Sequence, residues 1–222
     1  NELKNILKVD KNMVADGITA KDIDNWYEEK GRFCSGCIEG KMKEHARVKS
    51  KKPLKSNVPG EVTVGDIMFV EMKDNRKQPL LIHTDVCTKL ITGQELGSKS
   101  GEECTKGILN IKHDYSLYNR IMKQLVFDRE PAVIPTEATL KSEGIELVPK
   151  AAGQKVGLAE VSIRLVRNKA RATKAGVREK YGYLPPNQFN MDLCLDSIQV
   201  LNRIPKENCE ESPYELFTGR KI

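Results

Sequence analysis

Three acids stand where a carboxylate can do chemistry. Asp66 lies at the start of the apolar run "GDIMFVEM" (65–72), and Asp128 closes "KQLVFD" (123–128). Glu160 opens a helix-like segment after the glycine-bearing stretch "AAGQKVGLAE" (151–160). If the strands of Asp66 and Asp128 are neighbours, both carboxylates emerge at one edge of a sheet, and a helix packed across that edge brings Glu160 to them. Carboxylates gathered in this way repel one another unless a cation sits between them. Mg²⁺ (or Mn²⁺) suits the role, being a hard ion that takes oxygen ligands and keeps several waters. Two such ions about 4 Å apart would activate an attacking oxygen and steady a leaving oxygen in phosphoryl transfer. With 31 acids in the chain, a chance trio is the competing reading.

The segment behind Glu160 adds weight. Arg164, Arg167 and Arg171 follow it at four, seven and eleven residues, one face of a helix, beside an apolar stripe of Ile163, Val166 and Ala170. Guanidinium groups so placed suit bidentate contacts to a phosphate backbone. Together with Lys169 and Lys174 they make a candidate nucleic-acid grip. A solvated helix with a charged outer face is the plainer alternative.

The elements that must position these residues follow from periodicity. Runs of strand length occur at 65–72, at "PLLIHTDV" (79–86), at "LITGQEL" (90–96) and at 123–128. Ser98 and Ser100 are placed to cap a helix running to about 113. "TEATLKSEGIELV" (136–148) reads as a short helix, a stop at Gly144 and a last strand. After the Glu160 helix comes a break at Pro185 and Pro186. A further helix follows with Met191, Cys194, Leu195, Ile198 and Leu201 on one face. Three consecutive strands, then alternating helices and strands, predict a mixed α/β sheet flanked by helices.

Composition narrows the setting. The 222 residues carry a net charge of +6 and a pI near 8.9, which favours a polyanionic partner. Charged residues make up 31%, above the usual quarter or so, and aromatics only 5%. The longest apolar runs are strand-sized, so no membrane span is expected. The chain opens at Asn1 without an apolar leader, as a fragment or processed product would. Of six cysteines only Cys34 and Cys37 are closely spaced. The pattern therefore points to a reducing, intracellular compartment, with Cys87, Cys104, Cys194 and Cys209 as buried or half-buried thiols. Residues 41–58 hold seven basic residues against the single acid Glu44 and read as a solvated linker.

Five segments, taken in order, resemble the integrase of LTR retroelements in the retroviral integrase superfamily, closest in style to the copia-like group. "CSGCIEGK" (34–41) is similar to the cysteine half of the family's amino-terminal His-His-Cys-Cys zinc module. "GDIMFVE" resembles its first catalytic strand, and "LVFDREPA" the strand that ends in its second acid. "GQKVGLAEVSIRLVRNKAR" resembles its glycine-X-X-Glu helix, and "LNRIP" with "SPYELFTGRK" its closing segment.

The resemblance implies a ribonuclease-H-like catalytic core over 60–222, behind a partial zinc-binding segment at 1–45 and a basic linker at 46–59. It implies Asp66, Asp128 and Glu160 as the catalytic, Mg²⁺-holding triad, the last two 32 apart (160 − 128). Glu71 and, more weakly, Asp85 are the alternatives for the first acid. The implied activity is DNA strand transfer with endonuclease action: 3′ processing of element ends and their joining to target DNA. The implied setting is a nuclear homo-oligomer. A decayed or host-adopted integrase that only binds DNA is the first alternative, and a ribonuclease H acting on RNA–DNA hybrids the second.

Departures from the family pattern fall beside the acids. "DREPA" stands where many relatives have Asn-Gly after the second acid. "AAGQKVGLAE" keeps only Gln154 and Gly157 of the usual Pro-Gln and Asn-Gly. Both bear on target preference and catalytic vigour. Few aromatics lie near the site, leaving little on which to stack bases. The Cys34–Cys37 spacing lets two thiolates share one tetrahedral Zn²⁺. No histidine precedes Cys34, so the family's two would fall before Asn1, with His45 as a substitute ligand. His83 and His113 read as ordinary strand and helix residues. The family's separate carboxy-terminal DNA-binding domain is expected to be absent.

Overall fold

In the computed structural model the described residues are 54–128, 136–150, 157–206 and 209–221. They fall into two compact units, 54–166 with 186–221, and 167–185. The expectations for Cys34, Cys37 and His45, for the segment 1–45 and for linker residues 46–53 lie outside the described residues. So do residues 129–135 and 151–156.

Five strands form one mixed sheet: β1 (Val62–Glu71), β2 (Lys77–Asp85), β3 (Ile91–Glu95), β4 (Gln124–Asp128) and β5 (Glu146–Lys150). Their spatial order is β3-β2-β1-β4-β5. β1, β2 and β3 run antiparallel, while β4 and β5 add in parallel to the other side of β1. The parallel additions need crossovers, and α1 (Gly101–Ser116) and α2 (Glu137–Ser142) lie within them. Ser100 caps α1, its hydroxyl accepting from the Glu103 amide at 3.3 Å. Gly144, at φ +77°, makes the left-handed turn between α2 and β5.

Asp66 sits inside β1, not at its start. The β-branched run Val62–Thr63–Val64 carries the strand three residues further back than the sequence indicates. Gly60, at φ +83°, then turns the chain into it.

One face of the sheet offers Ile67, Leu81, Leu125 and Phe127. These pack with Cys104, Ile108, Ile111 and Tyr115 of α1 and with Phe217 of α5 (Pro213–Thr218). The Tyr115 and Phe217 rings meet edge to face at 4.6 Å. α5 is held by a capping box in which Ser212 and Glu215 exchange backbone bonds. On the opposite face Val64, Val86 and Val126 pack with Ala159, near the start of α3 (Gly157–Tyr181).

α4 (Asn190–Arg203) leans on β3, where a side chain at Gly93 would strike Ile198 at 2.5 Å. Its buried stripe is Met191, Cys194, Ser197, Ile198 and Asn202. Leu195 and Leu201, read on the same face as Met191, Cys194 and Ile198, are half-buried. Asn202 takes the inner position because its amide serves both backbone groups of Ile91. The Ile91 N–H donates to Oδ1 at 2.9 Å, and Nδ2 donates to the Ile91 carbonyl at 2.7 Å. Cys209, expected among the buried thiols, is exposed, in the bend that precedes α5. No described helix is long and apolar enough to cross a membrane.

Candidate active site

β1 and β4 are parallel neighbours, paired from Val62–Gln124 to Gly65–Phe127. The next position on each strand is Asp66 and Asp128, so the two predicted acids stand side by side at the point where pairing ends. Strand alternation puts both positions on the face of Val64 and Val126, two residues earlier. Ala159 covers that face, and Glu160 is the next residue, in the first turn of α3. Asp66 and Glu160 are half-buried, and Asp66 Oδ1 accepts from the Ile67 N–H at 2.8 Å. Asp128 is placed by its backbone alone. Among the described residues no three metal-ligating side chains are gathered.

The start of α3 is fixed to the sheet by a polar contact as well as by packing. Thr84 of β2 donates its hydroxyl to Ser162 at 2.7 Å, and Ser162 donates onward to the Leu158 carbonyl at 3.0 Å. Both residues are buried. Thr84 pairs across with Val64, so this bond sets the helix over the rung two residues before Asp66, on the same face.

Gly65 has a steric reason to be glycine. A Cβ there would lie 2.6 Å from the Phe127 ring and 3.0 Å from His83 Cδ2. The residue before the first acid must therefore be bare for the residue before the second to sit beside it. Spacing of acids does not disclose this, although a glycine within a strand is itself a sign of close approach.

The alternative first acids are placed elsewhere. Asp85 is fully buried, accepting from the Gly60 N–H at 2.9 Å and from both the amide and hydroxyl of Thr88 at 2.7 Å. It ties down the turn after β2 and the entry to β1. Glu71 is exposed at the far end of β1, opposite Lys77 and roughly 17 Å along the strand from Asp66. His83, read as an ordinary strand residue, is wholly buried, and neither ring nitrogen has a hydrogen-bond partner. Burial lowers its pKa to about 3, so it is neutral in the fold.

Of the basic residues on α3, Arg164 lies one turn beyond Glu160 in the same compact unit and is half-buried. Arg167, Lys169, Arg171 and Lys174 belong to the other unit. There Arg167 is exposed and the remaining three are half-buried, and Arg171 donates to Asn168.

No protein-family model and no curated protein matches the chain. Solved structures do. A chain of the simian T-cell lymphotropic virus intasome is similar over 93% of this chain and 69% of its own, at a TM-score of 0.63 and 14% identity. The HTLV-2 integrase catalytic core domain in complex with magnesium, in its trimeric form, matches over 73% of this chain and 99% of its own. Its TM-score is 0.56 and its identity 14%. The BIV integrase catalytic core domain matches over 71% and 93%, at 0.52 and 15%. At such identities the likeness is one of fold: the chain has the ribonuclease-H-like fold of retroviral integrase catalytic cores.

Proposed function

We propose that this chain is the catalytic core of an integrase-type polynucleotidyl transferase from a copia-like LTR retroelement, acting on DNA. The observation that carries the reading is the adjacency of positions 66 and 128 on parallel strands, under the helix turn that bears Glu160. Asp66, Asp128 and Glu160 offer only carboxylate oxygens, the donor set a hard divalent ion such as Mg²⁺ prefers. When bound, the ion lowers the barrier to attack on a phosphodiester. A magnesium complex among the similar structures supports the same choice of ion.

The chain's own residues hold and orient. Arg164, one turn from Glu160, grips a phosphate beside the reacting one, and Arg167, Lys169, Arg171 and Lys174 grip the backbone further along. The first reaction is attack of water near the 3′ end of the element DNA. The second is attack of the freed 3′ hydroxyl on a target phosphodiester. Self-association is part of the reading, since intasome and trimeric forms occur among the similar structures.

The test is joining or resealing of a branched DNA substrate in Mg²⁺ or Mn²⁺, native protein beside Glu160→Gln. Joining lost in the variant, with DNA affinity retained, is expected. A variant that loses DNA affinity to the same extent overturns the role given to Glu160. Silence from both proteins without metal binding makes the chain a decayed integrase that only binds DNA.

A further inference from the structure

α3 ends in a feature that the catalytic reading does not use. Its last residues and exit read "REKYGYLPP" (178–186). The helix stops at Tyr181 because Gly182 takes φ +75° and returns its N–H to the Arg178 carbonyl at 2.8 Å. That turn carries Tyr183 back beside Tyr181, with ring centroids 6.3 Å apart and planes at 40°. Pro185 and Pro186 fix φ on the way out. Tyr181 is 58% and Tyr183 59% exposed, the most exposed aromatic rings among the described residues, and Leu184 beside them is 52% exposed.

Two adjacent exposed rings beside an exposed leucine make a contiguous apolar patch, the kind of surface that marks an interaction site. The surroundings indicate what this pair meets. Lys180 Nζ lies 5.1 Å from the centre of the Tyr181 ring. The segment 167–185 carries Arg167, Lys169, Arg171, Lys174, Arg178 and Lys180 against the one acid Glu179. A partner that suits both features is anionic and presents flat, unsaturated faces.

We infer that Tyr181 and Tyr183 form a stacking platform for unpaired bases, and that the end of α3 binds single-stranded nucleic acid. Bases within a duplex cover one another's faces and leave only edges in the grooves. A strand with free bases can lay one on each ring while its phosphates meet Lys174, Arg178 and Lys180. The platform goes beyond the catalytic reading and does not depend on the acids.

Fluorescence anisotropy of the full chain tests it, using labelled oligothymidylate of about 16 nucleotides and a duplex of equal length. Loss of two stacked bases should weaken oligothymidylate binding by about tenfold or more in Tyr181→Ala/Tyr183→Ala, with duplex affinity within about twofold. The slope of affinity against salt should stay unchanged, because no charge is removed. Tyr181→Phe/Tyr183→Phe should bind as the native chain does. An unchanged unfolding midpoint excludes misfolding as the cause. The platform is overturned if the alanine pair binds oligothymidylate normally, or loses strand and duplex alike. It is equally overturned if nucleic-acid binding survives while self-association fails, since the tyrosines would then be a protein contact. Glu160→Gln should retain the oligothymidylate affinity whether or not the chain joins DNA, which separates this test from that of the catalytic site.

Discussion

Asp85 and Asp66 lie on adjacent strands, and the regions around them use a carboxylate in opposite ways. Around Asp85 the fold closes: two amides and a hydroxyl from Gly60 and Thr88 converge on it, and no surface is left to water. Around Asp66 the sheet opens, because pairing with β4 stops one residue earlier and the side chain keeps part of its surface exposed. A carboxylate supplied with protons by its own backbone is a structural clasp. One placed where a sheet stops pairing, level with a second acid, keeps part of its surface towards water.

The largest effect should come from Asp66→Asn. It should lower joining on the order of a thousandfold, the several kcal/mol that metal-assisted attack supplies, and leave the urea midpoint nearly unmoved. Asp85→Ala should do the reverse, costing about 3 kcal/mol by urea titration as three donors lose their acceptor. Joining silenced in a stably folded Asp85→Ala protein would exchange the two roles. Gly65→Ala sits between the regions. Crowding against Phe127 should cost about 2 kcal/mol in unfolding titrations, and any folded remainder should join slowly, because position 128 is displaced.

The smallest effect is pH-dependent and belongs to His83, across the strand from Gly65. In the fold it stays neutral down to about pH 3, whereas the unfolded chain takes up a proton near 6.5. Acid therefore favours the unfolded state, and stability falls as pH drops through 6.5 towards 3. Through His83 alone, stability at pH 5 should be about 2 kcal/mol below that at pH 8. His83→Leu should show a flatter profile by thermal melting across that range.

The strands and the helix order were legible in the sequence because each apolar run is bounded by a clear stop, such as Gly144 or the Pro185–Pro186 pair. Asp66 and Asp128 could be singled out by their places in strand-like runs, but their adjacency could not. It depends on β4 inserting beside β1 rather than β3, a long-range choice that periodicity does not encode. Resemblance supplied that choice. Asn202 was not singled out for a related reason: a hydrophobic stripe counts apolar residues, and Asn202 is inside because a distant strand edge needs its amide. The aromatic platform escaped notice because composition averages over the chain, whereas Gly182 gathers two rings at one turn.

Asn202 has a consequence for synthesis. It satisfies Ile91 across 111 residues of chain. At roughly 5–20 residues per second on the ribosome, β3 waits about 6–22 s after its own emergence before its cap exists. During that interval the outer edge of the growing sheet is open to strands of other nascent chains. Slowing translation between Ile91 and Asn202 should therefore lower the soluble yield, while the sequence of the finished protein is unchanged.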